Sequence, residues 1–188
     1  DSGSNGIRLP MNNPYFRNIQ AVYDRLYLNK KQYWNTSAGI FAGFSPSIYY
    51  ELFEDIGLKK FSSVVDLGSG DGRLVFVGCL FTSINGIEHD KHLYDKSLKI
   101  RKELSQQWAA LKKRCELVNN DYLDENLSSY DLIIINPDKG FHNKIEEKLI
   151  NKMRAKLLVC NNIFAPRFLK RLQTHWIDQI PFKLKKKA

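Results

Sequence analysis

Apolar positions fall into two alternating rhythms along the 188-residue chain, a helical period near 3.6 and short unbroken runs. Phe16, Ile19, Val22, Tyr23, Leu26 and Tyr27 recur at helical spacing after Asn12-Asn13-Pro14, a start signal with Asn as cap and Pro in the first turn. They predict an amphipathic helix of about 16 residues that must lie on something. Gln32 to Phe44 is rich in aromatics, Ser, Thr and Gly and reads as a loop. Its Trp34, Phe41 and Phe44 are candidates for the wall of a ligand site, and equally for anchors holding the first helix to the core. A second helix starts at Ser45-Pro46 with Ser as cap, presents Ile48, Leu52, Phe53 and Ile56 on one face, and stops at Gly57.

From Ser63 the pattern changes. Val64-Val65 opens a short β-branched run that ends at Asp66, as a buried parallel strand would. Leu74 to Leu80 predicts a helix, and Ser83 to Glu88 a second strand. Leu93, Ser97, Ile100, Leu104, Trp108 and Leu111 share one face of what reads as a single long helix. Further strands are expected at Glu116-Leu117-Val118, Asp131 to Ile135 and Lys156 to Cys160, the last running into Asn161-Asn162, with a helix over Glu146 to Met153. Gln173 to Ile177 and Phe182 to Lys185 are expected as the last strands, in a C-terminal region that reads as abbreviated because little chain remains. Strands alternating with helices define an α/β fold, a doubly wound, mostly parallel sheet with helices on both faces and an N-terminal helical extension. The expected division is 1–44 for that extension and its aromatic loop, and 45–188 for the sheet domain.

Composition changes this picture little. Hydrophobic residues make up 43% of the chain, ordinary for a globular domain. No apolar run approaches the roughly 20 residues that span a bilayer. Asp1 to Gly6 reads as a flexible, polar start without the apolar core of a signal peptide. Cys79, Cys115 and Cys160 form no C-x-x-C pair and read as small buried hydrophobes, which together with the missing leader suggests an intracellular, cytoplasmic, reducing setting. His89 and His92 are close in sequence, but no further ligand completes a metal set, and His142 and His175 read as ordinary polar positions.

Charge adds more. The net charge of +9 favours an acidic partner: nucleic acid, an anionic surface or an acidic protein. Lys183, Lys185, Lys186 and Lys187 read as a basic tail, and Lys112-Lys113-Arg114 as a cluster; either is also what a solvated face looks like.

Candidate chemistry gathers at the predicted strand ends. After Asp66 come three glycines at every second position, Gly68, Gly70 and Gly72, with Ser69 and Asp71 between them. Strand, glycine loop, helix is the geometry of a nucleotide-type cofactor site. The spacing G-x-G-x-G differs from the G-x-G-x-x-G of nicotinamide-binding folds. Glu88 lies 18 residues beyond Gly70 at the tip of the second strand, where a carboxylate meets vicinal ribose hydroxyls. Asp121-Tyr122 follows the third strand, and Asn136-Pro137-Asp138 the fourth. An Asx turn is the alternative reading of Asp121, and strand termination with a helix cap that of Pro137 and Asp138.

Asp66-Leu67-Gly68-Ser69-Gly70-Asp71-Gly72-Arg73 closely resembles motif I of class I S-adenosylmethionine-dependent methyltransferases. It is most similar to the Rossmann-type protein-lysine methyltransferases: the archaeal and mitochondrial ones and, more distantly, the non-SET histone lysine methyltransferases. The resemblance covers roughly Pro46 to Ile163. It implies S-adenosylmethionine as cofactor, held by Asp66, Gly68, Ser69, Gly70, Gly72, Glu88, His89, Asp121, Tyr122 and Asn136. Glu88 would take the ribose, Asp121 the adenine amino group, and Tyr122 would pack on the ring. In the resembling enzymes the second helix borders the cofactor, which draws attention to Tyr49 and Tyr50, although packing is their default role. Asn136, Pro137 and Asp138 are the expected catalytic group.

The implied reaction is N-methylation of a lysine side chain on a protein. The chain departs from the lysine enzymes at the fourth strand tip. Asn136-Pro137-Asp138-Lys139 is half of the Asn-Pro-Pro-aromatic motif of methyltransferases acting on base or amide nitrogens, with Phe141 the nearest aromatic. RNA or another nucleic acid is therefore the alternative acceptor. A non-catalytic module that binds the cofactor or a partner, and a nucleotide-dependent oxidoreductase, are alternatives of other classes.

Overall fold

The computed structural model describes residues 12–28, 33–36, 40–138, 140–141, 143–160 and 164–187. The expectations for 1–6, His142, Asn161 and Asn162 lie outside these residues, as do the side chains of Trp34 and Phe41. Helix α1 (Pro14–Tyr27) begins as its sequence dictates: the Asn13 side chain accepts hydrogen bonds from the N–H groups of Tyr15 and Phe16, at 3.0 and 3.1 Å. The segment expected to be a loop is instead a hairpin, β1 (Tyr33–Asn35) paired antiparallel with β2 (Ile40–Ala42). Strands of three residues leave too short an alternation to register as a pattern.

Helix α2 (Pro46–Asp55) has Ser45 at its N-cap position, but the hydroxyl does not cap; it pairs with Ser47 Oγ at 2.8 Å. Gly57, at φ 63°, ends the turn beyond it. The sheet follows in chain order: β3 (Val64–Leu67), α3 (Arg73–Gly78), β4 (Ile84–Glu88), α4 (Lys91–Leu104), a four-residue α5 (Leu111–Arg114), β5 (Leu117–Asn119), β6 (Leu132–Ile135), α6 (Asn143–Lys152), β7 (Lys156–Val159), β8 (Lys170–Ile177) and β9 (Ile180–Lys186). The expected long helix stops at Leu104. Ser105 turns its hydroxyl back onto the Arg101 carbonyl at 2.7 Å, and tighter turns follow. Leu104, Trp108 and Leu111 stay buried across the break, so the apolar period persists where the helix does not.

The seven strands run in the order β5-β4-β3-β6-β7-β9-β8. The first five are mutually parallel, and β9 is antiparallel to both β7 and β8. Alternation across the strands divides the core. Val64, Leu132, Ile134 and Leu158 join α1, α2, α3 and α4 on one face, while Val65, Leu67, Ile133, Ile135, Leu157 and Val159 meet Ile145 and Leu149 of α6, and Met153 just beyond it, on the other. All three cysteines are buried and free.

The closing hairpin is complete rather than abbreviated, with eight and seven residues in its strands. A two-residue turn joins them, with Asp178 at φ 45° and Gln179 at φ 63°. The expected basic tail is therefore mostly a strand. Phe182 and Leu184 face the core with α2, while Lys185, buried on the other face, donates to the carbonyls of Pro166 and Leu169 at 3.2 and 3.1 Å. Burial, with Lys183 and Arg171 nearby, holds its pKa below the usual lysine value. Among the described residues no helix is long and apolar enough to cross a membrane.

Candidate functional site

The order in which strands are added reverses at β3. From it the sheet grows through β4 to β5 on one side and through β6 to β7 on the other, which opens a crevice beyond the carboxyl ends of β3 and β6. A cavity of about 330 Å³ lies there. Asp66 from β3, Glu88 and His89 from the end of β4, Asp121 and Tyr122 after β5, and Asn136, Pro137 and Asp138 after β6 all line it, with Gly68 and Ser69 of the glycine loop.

Gly70 and Gly72 do not line the cavity; they shape the loop. Gly72 sits at φ 83°, and a Cβ there would come within 2.8 Å of the Phe76 ring, so glycine is required on both counts. The loop is tied to β4 by Gly68 and Ser69 N–H groups donating to the Ile87 carbonyl at 2.9 and 3.0 Å. Glu88 completes the tie: Oε2 accepts from Gly70 N–H and Oε1 from Asp90 N–H, each at 2.7 Å. Asn119 Nδ2 donates to the Glu88 and His89 carbonyls and fixes the exit of β4.

Electrostatics in the cavity are acidic. Asp66 is 3% exposed, and burial together with the nearby Glu88 pushes its pKa up to about 8. Burial also raises the Glu88 carboxyl, although the Asp90 and Gly70 N–H groups pull the other way. Asp121 makes the Asx turn that was its alternative reading: Oδ1 accepts from Leu123 N–H at 2.8 Å, while the carboxylate still borders the cavity. Asp138 does not cap α6, which starts at Asn143; its Oδ2 accepts from Ile40 N–H at 2.7 Å. Asn136 donates through Nδ2 to the Ala42 carbonyl at 2.9 Å, which leaves its carbonyl oxygen turned to the other side.

The β1–β2 hairpin thus walls the cavity, as the aromatic segment was a candidate to do, through residues that reading did not name. Thr36, Ile40, Ala42 and Gly43 line it, with Tyr49, Arg73 and Phe141. Tyr49 is buried, and its hydroxyl accepts from Phe44 N–H at 3.3 Å. The aromatic content of 32–44 was the available signal, but its aromatic side chains gave no period to place it. The second helix, through Tyr49, does border the cavity; Tyr50 packs on Phe16 and Phe81 instead.

The geometry suits S-adenosylmethionine. At Gly68, φ 77°, nothing stands within 4 Å of where a Cβ would lie, so the loop presents open backbone to the cavity. Asp66 and Glu88 offer carboxylates to a ligand that brings ammonium and hydroxyl donors, and Tyr122 offers a ring. The volume lies at the lower end of the roughly 300–1,000 Å³ of small-ligand sites.

A mostly parallel seven-stranded sheet with one antiparallel strand inserted before the edge, and a glycine loop at its switch point, is the class I methyltransferase fold. Residues 19–183 match the family described as histone methylation protein DOT1. The chain belongs to that family. It is 26% identical over 147 residues to a histone-lysine N-methyltransferase, H3 lysine-79 specific, of Emericella nidulans; the match takes in 73% of this chain and 28% of that protein. Among solved structures, an RNA methyltransferase from Salinibacter ruber in complex with S-adenosyl-L-homocysteine superposes with TM-score 0.61 at 16% identity, over 78% of this chain and 95% of that one. A methyltransferase from Geobacter sulfurreducens superposes with TM-score 0.62 at 14% identity, over 96% and 92%. At these identities the structures bear on the fold alone.

Proposed function

We propose that this chain is the S-adenosylmethionine-dependent catalytic domain of a protein-lysine methyltransferase. The observation that carries the reading is the acid lining of the cavity: Asp66, Glu88, Asp121 and Asp138 border one crevice in a chain of net charge +9. Such a crevice, in which an incoming cation favours the ionised form of Asp66, attracts a cationic cofactor and an ammonium-bearing acceptor and repels a polyanion. The relative from Emericella nidulans, named for a histone lysine, supports the same acceptor class.

When bound, S-adenosylmethionine supplies an electrophilic methyl group on a cationic sulfur. The chain's own residues do the positioning. Glu88 keeps a lone pair on each oxygen beyond its two backbone donors and so can receive two hydroxyls. Asp66 would hold the cofactor's ammonium and Tyr122 would pack on its aromatic ring. Asn136 is held through Nδ2 by Ala42, and its Oδ1 orients the acceptor N–H. A lysine amine, of pKa about 10.4, must lose a proton before it attacks, and a neighbouring cation and burial both favour that loss. Asp138 is exposed, and its Oδ1, the oxygen not bound to Ile40, passes the proton to water.

Ligand-induced melting shifts test the cofactor half of this reading. S-adenosylmethionine and S-adenosylhomocysteine should each raise the melting temperature, and NAD should not. A shift with NAD alone would replace the transferase by an oxidoreductase.

A further inference from the structure

Among the described residues, the hairpin that walls the cavity pairs only with itself: β1 and β2 form their own two-stranded sheet. A lone hairpin of this kind is marginal in water, so its place depends on what clasps it. Asn136 and Asp138 hold it from the tip of β6. Arg73 holds it from beneath, where Nη1 reaches the carbonyls of Phe44 and Gly43 at 3.3 and 3.5 Å.

Arg73 is itself fixed from the opposite side. It is 3% exposed and forks onto the fully buried Asp71, Nε to Oδ1 at 3.1 Å and Nη2 to Oδ2 at 2.9 Å. Two tyrosines of α1 set this pair. The Tyr27 hydroxyl donates to Asp71 Oδ2 and the Tyr23 hydroxyl to the Asp71 carbonyl at 2.9 Å. Their rings lie 4.4 and 5.1 Å from the guanidinium carbon. Lys96 of α4 donates to the Tyr27 hydroxyl at 2.7 Å. The same guanidinium therefore touches α1, the glycine loop and the cavity wall. The fit is close: a Cβ on Gly43 would lie 3.0 Å from Arg73 Cδ and Nε, although Gly43 has no unusual φ. The three atoms nearest that Cβ all belong to Arg73.

We infer that Arg73 is a positioning residue that transmits the placement of α1 to the hairpin wall, so that the ligand-competent cavity exists only while Tyr27, Asp71, Arg73 and the Gly43-Phe44 carbonyls stay engaged. This rests on the transferase reading for its ligand readout, and on the geometry alone for its backbone readout. Planar, bidentate and stacked, the site is one that lysine does not satisfy.

The test uses the full chain with Gly43→Ala, Tyr27→Phe and Arg73→Lys. Gly43→Ala wedges the hairpin from Arg73 while removing neither side chain of the buried Asp71 pair, so it reports even where Arg73→Lys unfolds. Without any ligand, hydrogen exchange at the amides of 40–44 should quicken by about tenfold or more in Gly43→Ala and Tyr27→Phe, while strands β3 and β6 keep their protection. S-adenosylhomocysteine binding, measured by calorimetry, should weaken by about tenfold in the same variants, the scale of coupling through a contact network. Wild-type exchange at 40–44 in Gly43→Ala and Tyr27→Phe overturns the inference. So does unchanged affinity beside a wild type that binds. A wild type that binds no S-adenosylhomocysteine would instead count against the transferase reading, and the exchange result would still decide the role of Arg73.

Discussion

Glu88 Oε2 accepts a 2.7 Å hydrogen bond from the N–H of Gly70, which makes the tip of β4 and the glycine loop after β3 one unit. The second oxygen does the same for Asp90 N–H at the start of α4. Glu88→Ala should therefore act twice. Loss of a charged acceptor should weaken S-adenosylmethionine binding by about tenfold or more, and two buried donors left unpaired should cost about 1–3 kcal/mol of cofactor-free stability. Calorimetry and denaturant unfolding of both proteins check this. Equal affinities would remove Glu88 from the site.

Asp66 makes the site sensitive to pH. Its folded pKa, about 8, stands above the ordinary 3.8 because of burial and the nearby Glu88. The folded protein thus holds a proton that the unfolded chain has released. The resulting stabilisation is full below the unfolded value and is lost as pH climbs from about 4 through about 8. Cofactor-free stability should fall over that window, and Asp66→Asn should flatten the fall. A cationic ligand favours the ionised form, so its affinity should rise toward pH 8 in the wild type and not in Asp66→Asn. Parallel pH profiles for the two proteins would contradict this.

Substituting Asn136 tests the proposed chemistry apart from binding. Asn136→Ala should slow methyl transfer on the order of 10²-fold or more, the scale of a positioned catalytic group, with S-adenosylmethionine saturating. A rate within about threefold of wild type would move the acceptor site away from the tip of β6.

Much of this was legible in the chain because parallel strands buried on both faces announce themselves as short β-branched runs, each ending in a polar residue at the crevice. Asp66, Glu88, Asp121 and Asn136 come from four separate segments, and the sheet brings them to one edge. What stayed hidden is non-local. The hairpin wall depends on clasps between residues 94 and 98 positions apart, Ala42 with Asn136 and Ile40 with Asp138. The break after Leu104 is masked because Trp108 and Leu111 continue the apolar period through turns. Lysines in β9 looked like a tail because one face of that strand carries charge, and only the pairing with β7 and β8 shows it to be interior to the sheet.

That last point has a direct consequence. Deleting 183–188 removes most of a strand that lies between β7 and β8, with Leu184 in the core and Lys185 binding two carbonyls. The truncated chain should lose its cooperative melt, followed by circular dichroism. A truncation that melts like the full chain would restore the reading of these lysines as a free tail.

Transfer of a labelled methyl group decides the central claim. The protein, incubated with methyl-labelled S-adenosylmethionine and a host lysate, should place label on lysine side chains. That label should withstand nuclease, be released by protease, and fall with Glu88→Ala at limiting S-adenosylmethionine. Label that nuclease removes, or no label on any macromolecule from a protein that binds the cofactor, would contradict a protein-lysine methyltransferase.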